Sequence, residues 1–135
     1  MKYILDTNAV SALMKGVPAA VDRLADLDRS AVSVPQPVLA EIAYGIERLP
    51  RSRRRTELRR RLSLIRNEIG RAEWSDAVSD AFGRIKAMLE RQGRRIADFD
   101  AAIAAHAVAA GATLITADNA HMARVPDLMV EDWLR

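Results

Sequence analysis

Four carboxylate residues stand where a metal-dependent hydrolytic site could be assembled. Asp6 follows a short apolar run, and Asp118 follows another one near the end of the chain. Glu41 and Asp100 fall in the first turns of two predicted helices. Each residue alone has an ordinary explanation, because an Asp after a strand is a common helix N-cap and a helical Glu is usually solvated. The chemical hypothesis therefore depends on the four acting together.

Carboxylates that converge on one site need a counter-ion. Two of them about 5 Å apart repel by roughly 3 kcal/mol at an effective dielectric near 20, and four cannot all stay ionised without a cation or proton uptake. The chain has no cysteine, so a metal must be held by oxygen or imidazole, and oxygen ligands favour Mg²⁺, with Mn²⁺ as the second candidate. Carboxylate-held Mg²⁺ binds phosphate oxygens and activates water, which is the chemistry of phosphodiester hydrolysis.

Short apolar strands alternating with helices would bring these residues together. The pattern predicts an α/β fold, with a mostly parallel sheet and helices on both faces. Such sheets bind ligands at the carboxyl ends of their strands, where Asp6 and Asp118 are expected to lie. The predicted strands are residues 2–5, 31–34, 113–116 and 128–130, and the main predicted helices are residues 37–49, 52–70, 75–92 and 99–110.

The helix after Asp100 is almost wholly small and apolar, so it should be buried on most sides. A carboxylate at its start gains from the positive helix end and stays available as a ligand. Asp98 is predicted to cap this helix, with a supporting role at the site and, last, a role as an outer metal ligand as the alternatives. His106 lies about 120° around the helix from Asp100 and is predicted to be packed or on the surface.

An arginine cluster at residues 51–61 carries seven arginines in a chain whose net charge is only +3. It is either a solvated helix face, a basic surface for a polyanion such as a nucleic acid, or an interface with another protein chain. Phosphate contacts are favoured over base stacking because only 4% of residues are aromatic. The candidates are Arg53, Arg54, Arg55, Arg59, Arg60 and Arg61.

The length of 135 residues indicates one domain, residues 1–135. Asp6 interrupts the N-terminal apolar run, so we expect neither a signal peptide nor a membrane span, and we expect a cytoplasmic location. His121 is predicted to lie in a surface loop, and Trp74 and Trp133 are predicted to be packing anchors.

Five segments of the chain resemble the VapC toxins, which are PIN-domain ribonucleases of bacterial toxin–antitoxin modules. They are residues 3–8, 37–46, 100–107, 112–118 and 130–133, and they occur in the family's order. The resemblance implies a PIN-like α/β/α sandwich and hydrolysis of RNA to a 5′-phosphate and a 3′-hydroxyl. It also implies inhibition by a cognate VapB-type antitoxin, and we expect a homodimer.

The resemblance also assigns residues. It implies that Asp6 and Asp100 are the firmest Mg²⁺ ligands of an acidic quartet, and that Thr116 holds the first-strand carboxylate or a water. The quartet is Asp6, Glu41, Asp100 and Asp118, and the polar residues beside it are Thr7, Asn8 and Thr116. This chain differs from the family's usual pattern at two positions. The family often has Asn where Asp118 stands and an acidic residue where His121 stands.

Three rival functions conflict with the sequence to different degrees. A haloacid-dehalogenase-type phosphatase would need an acid where Asn8 stands, and a receiver domain would need a lysine after a late strand. A non-catalytic PIN-like binding module would typically have lost part of the quartet, whereas all four positions are carboxylates here. The sequence therefore favours the enzyme.

Overall fold

Five short strands form one parallel sheet in the computed structural model, which describes residues 1–134. Neighbouring strands are paired in the order β3-β2-β1-β4-β5, and every pairing is parallel. The strands are β1 (Tyr3–Leu5), β2 (Val32–Pro35), β3 (Gly70–Ala72), β4 (Thr113–Ile115) and β5 (Met129–Glu131). Since β1 is central and the chain builds outward from it in both directions, the strand order reverses between β1 and β4. That reversal creates a crevice at the carboxyl ends of these two strands.

Helices flank this sheet and complete the predicted α/β/α arrangement. They are α1 (Thr7–Met14), α2 (Pro18–Ala25), α3 (Gln36–Glu47), α4 (Arg53–Glu68), α5 (Asp76–Arg91), α6 (Asp98–Ala110) and α7 (Asn119–Met122). Helices α1, α3 and α4 contact one another, and α5 packs along α6. Within residues 1–134, none of these helices is long and apolar enough to cross a membrane.

The core explains why the sheet and α6 are rigid supports. Ile4 and Leu5 of β1 and Leu114 and Ile115 of β4 are all at most 2% exposed, as expected for strands covered on both faces. Helix α6 is buried over seven consecutive residues, 101–107, which confirms the prediction from its alanine-rich sequence. Asp100 therefore projects from the start of a helix that is fixed on nearly every side.

The structure adds one strand that was not predicted and shifts the bounds of several predicted elements by one or two residues. The predicted helix 52–70 ends at Glu68, and Gly70–Ala72 forms edge strand β3. This strand was missed because it is short and mostly exposed, so it carries no apolar alternation. The last strand spans Met129–Glu131, one residue later than the predicted 128–130.

Candidate active site

The candidate site lies where β1 and β4 end side by side. Asp6 follows β1, and its main-chain N–H donates to the carbonyl of Ile115 at the end of β4, at 2.9 Å. Asp6 is also the N-cap of α1, since its Oδ1 accepts from the N–H of Thr7 at 2.7 Å. Asp118 follows β4 and is the N-cap of α7. Both carboxylates are therefore caps as well as candidate ligands, so the two predictions for these residues are compatible.

Thr116 fixes the carboxylate of Asp6. Its hydroxyl donates to Oδ2 of Asp6 at 2.7 Å, and the Asp6 side chain is 4% exposed. The Thr116 oxygen also accepts from Asn8 Nδ2 at 3.3 Å and from the N–H of Asp118 at 2.9 Å. This confirms that Thr116 holds the first-strand carboxylate, and it places Asn8 beside the site.

Glu41 and Asp100 reach the same cleft from α3 and α6. The hydroxyl of Thr7 donates to Glu41 Oε1 at 2.8 Å, which orients that carboxylate. The cleft has a volume of about 530 Å³ and brings all four predicted carboxylates together. Of its other lining residues, Thr7 and Asn8 were predicted, and Ser11, Ala12, Lys15, Val17 and Leu134 were not.

Electrostatics show that the four carboxylates interact. Burial raises the pKa of Asp6, although hydrogen bonds from Thr116 and Thr7 lower it, and the charge of Asp118 raises it further. Burial also raises the pKa of Asp100, followed by the charges of Asp6, Glu41 and Asp118. The cleft therefore concentrates more negative charge than it compensates, and a bound cation would relieve this repulsion.

His121 was predicted to lie in a surface loop, and it lies instead on the one-turn helix α7, beside the site. Its side chain is exposed, but its Nδ1 lies 2.8 Å from Asp118 Oδ2. Burial raises the pKa of Asp118, but hydrogen bonds from the ring and the N–H of His121 outweigh burial and hold it below its usual value. The sequence signal for this contact was the three-residue spacing between Asp118 and His121, which fits one turn of a helix.

The donor set fits a divalent cation. One ligand atom each from Asp100, Asp118 and His121 lies within 4.8 Å of the others. Asp6 is outside this closest group, and each of its oxygens already accepts one hydrogen bond. A carboxylate oxygen has a second lone pair, so Asp6 could still contribute. The structure thus adds an imidazole to the predicted all-oxygen ligands. Carboxylate oxygens suit Mg²⁺ and Mn²⁺, whereas imidazole is more typical of sites for other transition metals.

Asp98 does not join the cluster. Its carboxylate pairs with the Lys86 ammonium at 3.1 Å. It lies in the first turn of α6, and Ala97 is the N-cap with no side-chain hydrogen bond. The prediction that Asp98 caps the helix is therefore wrong, and Asp98 is not among the residues that line the cleft. The sequence could not show the competing lysine, which comes from α5.

The histidine and tryptophans away from the cleft are mainly structural. His106 is 1% exposed, and its Nδ1 is 2.8 Å from the Ala102 carbonyl, which confirms the packed interpretation. Trp133 is buried near Tyr3, as predicted. Trp74 is 46% exposed, although its ring meets that of His106 edge-on at 5.1 Å. It is therefore only a partial anchor.

Most of the candidate arginines form ion pairs, but four arginines share two carboxylates, so the cluster keeps a net positive charge. Four of its six candidates are held in ion pairs: Arg55 and Arg59 with Glu47, at 2.7 and 2.5 Å, and Arg60 and Arg61 with Glu57, at 2.6 and 3.1 Å. Arg53 and Arg54 are exposed and form no ion pair with any of residues 1–134. Arg54 also lines a groove that contains Thr7 and Glu41, so it lies next to the cleft.

This fold and cleft match a known family. The family model for the PIN domain matches residues 3–128, so the chain belongs to the PIN domain family. Within that family its relatives are VapC proteins. It is 32% identical to the tRNA(fMet)-specific endonuclease VapC of Shigella flexneri and 30% identical to Ribonuclease VapC2 of Rickettsia felis, each comparison covering 98% of both chains.

Solved toxin–antitoxin complexes contain chains of the same fold. VapBC2 from Rickettsia felis, crystallised with a DNA fragment from its promoter, matches with a TM-score of 0.87 at 27% identity, covering 98% of this chain and 99% of that one. VapBC-1 from nontypeable Haemophilus influenzae matches with a TM-score of 0.86 at 27% identity over the whole of both chains. The predicted VapC resemblance and the PIN-like α/β/α fold are thereby confirmed.

Proposed function

We propose that this protein is a Mg²⁺-dependent endoribonuclease and the toxin of a toxin–antitoxin pair, folded as one domain. The convergence of Asp6, Glu41, Asp100 and Asp118 in one cleft carries the proposal. The names of the relatives from Shigella flexneri and Rickettsia felis, an endonuclease and a ribonuclease, support RNA as the substrate.

The cleft residues divide the work of phosphodiester hydrolysis. Asp100, Asp118 and Asp6 would hold Mg²⁺, with His121 next to Asp118. When bound, Mg²⁺ supplies positive charge to the phosphate and lowers the pKa of water. Thr116 keeps Asp6 in one orientation, and Thr7 does the same for Glu41.

A carboxylate of the cleft accepts the proton of the attacking water. The water oxygen bonds to phosphorus, the bond from phosphorus to the 3′ oxygen breaks, and the leaving 3′ oxygen takes a proton from a solvent water. The products are a 5′-phosphate and a 3′-hydroxyl. Glu41 is a suitable proton acceptor, because Thr7 orients it and it is not in the closest group of ligand atoms.

A VapB-type antitoxin is the proposed partner, and a homodimer the proposed assembly. The solved VapBC complexes of the same fold support the antitoxin. A groove beside the cleft combines Thr7 and Glu41 with the apolar side chains of Ile42, Ile46 and Leu58. An inhibitor segment lying there could bury apolar surface and still reach the carboxylates.

Metal dependence is the direct test of the proposed function. Purified protein should cleave total bacterial RNA with Mg²⁺, should lose that activity in EDTA and should regain it with excess Mg²⁺, because uncompensated carboxylates repel a phosphodiester. Mapping the product ends should show 5′-phosphates. Cleavage that persists in EDTA, or 2′,3′-cyclic ends, would contradict the metal-carboxylate mechanism.

Charge-reversal variants can identify which arginines of the cluster bind RNA. The double variant Arg53→Glu with Arg54→Glu should weaken RNA binding and flatten its salt dependence, because these guanidinium groups are free to meet phosphates. The matched variant Arg59→Glu with Arg60→Glu makes the same change in net charge at paired residues and should have the smaller effect. Titrations over a series of KCl concentrations measure both. If only antitoxin binding changed, the cluster would be a protein interface.

A further inference from the structure

We infer that Lys15 binds a phosphate of the RNA at the rim of the carboxylate cleft, and that Arg61 positions Lys15 through the main chain of Met14. The inference rests on the proposed function, since it assigns a contact of the same substrate. It changes the role of Arg61, which the sequence grouped with possible RNA-binding or interface residues.

Lys15 is placed where a substrate must pass. It follows α1, the helix that Asp6 caps, and eight helical residues span about 12 Å. The Lys15 side chain lines the cleft together with the four carboxylates, and among the described lining residues it is the only cation. It also borders the two neighbouring depressions, beside α4 and between α1 and α3. Chain segments of RNA that enter or leave the cleft on this side would run past its ammonium group.

The Lys15 ammonium is free to bind an anion. The residue is exposed, and no carboxylate of residues 1–134 lies within ion-pair distance of it, although four line the same cleft. An acidic cleft repels a polyanion at its approaches, and one lysine at the rim offsets part of that repulsion. Lysine binds phosphate as a point charge without demanding one orientation, which suits a flexible backbone.

The backbone that carries Lys15 is held in place. The Lys15 N–H donates to the Ser11 carbonyl at 3.0 Å, and Gly16 ends the helix with a φ of +71°, a conformation that favours glycine. Arg61 reaches across from α4 and donates from Nη1 to the Met14 carbonyl at 2.9 Å. Its Nε donates to Glu57 at 3.1 Å. With both ends of the guanidinium engaged, Arg61 is a positioning residue for this turn.

A purely structural role for Lys15 makes different predictions. A cation at a helix C-terminus interacts favourably with the helix dipole, which would affect stability and not the substrate. The variant Lys15→Gln removes the charge, Lys15→Arg keeps it, and Lys2→Gln removes a charge of the same kind at the opposite end of β1. Steady-state cleavage of total bacterial RNA with Mg²⁺, measured over a series of KCl concentrations, separates the roles.

Lys15→Gln should raise KM roughly tenfold, the loss of about one charge-assisted hydrogen bond, with kcat nearly unchanged. The slope of log(kcat/KM) against log[KCl] should decrease in magnitude by about 0.7, the value for one phosphate of single-stranded RNA. Lys15→Arg should restore both, and Lys2→Gln should match the wild type. If the wild type cleaves RNA but Lys15→Gln keeps its KM and slope, or changes only the melting temperature or antitoxin binding, the inference is wrong. If the wild type does not cleave, the proposed function itself fails.

Arg61 is tested through its coupling to Lys15. Arg61→Met should raise KM in the same direction as Lys15→Gln, but the double variant should be no worse than Lys15→Gln alone, because a positioning residue has nothing left to position. Arg61→Lys, which keeps a donor near the Met14 carbonyl, should recover part of the loss. Additive effects in the double variant would show that Arg61 acts on the RNA independently, and would overturn its assignment as a positioning residue.

Discussion

Replacing Asp6 by Asn is expected to lower RNA cleavage at saturating Mg²⁺ on the order of a hundredfold or more, with the fold intact. Asn has the same shape and can still accept the hydrogen bond from Thr116 through one oxygen. It cannot carry the negative charge that holds the cation, nor accept from Thr7 on its other atom. Losing several kcal/mol of charge stabilisation in the transition state corresponds to such a rate effect.

The matched control for this variant is Asp98→Asn. It removes one negative charge from an aspartate that pairs with Lys86 outside the cleft, so cleavage should stay close to the wild-type rate. Initial rates with Mg²⁺, together with circular dichroism and a melting curve, would compare the variants. Asp6→Asn with near-wild-type activity would show that the cleft carboxylates are not the reaction site.

The sequence predicted the parts of the fold that are buried. The strands that end at Leu5 and Ile115 are continuous apolar runs, and α6 is uniformly small and apolar, so each has one stable environment. Edge strand β3 has no such signature, because Gly70 and Arg71 are exposed and their pairing with β2 is made by the main chain. Main-chain pairing at an exposed edge leaves little trace in side-chain types.

The residues of the candidate site could also be predicted only in part from the sequence. Asp6, Asp100 and Asp118 could be located because each stands at the end of a buried strand or at the start of a buried helix. The sequence could not identify ion-pair partners that come from another element, such as Lys86 for Asp98 or Glu47 for Arg59. These ion pairs decide which charges remain free, and sequence position alone does not reveal them.

The carboxylate cluster should also make the metal-free protein less stable at neutral pH. Burial and the charges of Asp6, Glu41 and Asp118 raise the pKa of Asp100 in the folded state. The folded state therefore binds more protons than the unfolded chain just above 3.8, the ordinary pKa of an aspartate, and stability falls as the pH rises from there through the raised pKa. Above the raised pKa, the stability of the folded state is lowered by the full cost of ionising Asp100, and this cost is present at pH 7.

Asp100→Asn should remove this penalty. In EDTA at pH 7 the variant should melt at a higher temperature than the wild type, and the difference should vanish at about pH 3, where both states of the wild type are protonated. Asp98→Asn is again the matched control, two residues away on α6, and should show no such gain. Melting curves from pH 3 to 8 in EDTA would measure the effect. A destabilised Asp100→Asn at pH 7 would contradict the proposed repulsion.

Mg²⁺ should reverse the order of the melting temperatures of the wild type and Asp100→Asn. A ligand at 100 times its dissociation constant stabilises the folded state by about 2.7 kcal/mol, which in a domain of this size is roughly 5 to 15 °C in melting temperature. The wild type should gain this shift, whereas Asp100→Asn should gain little because it lacks one ligand charge. A wild-type melting temperature that does not respond to Mg²⁺ would argue against a cation at this cluster. If both outcomes hold, the cluster costs stability in the empty protein, and that cost is what the cation relieves when the site is assembled for catalysis.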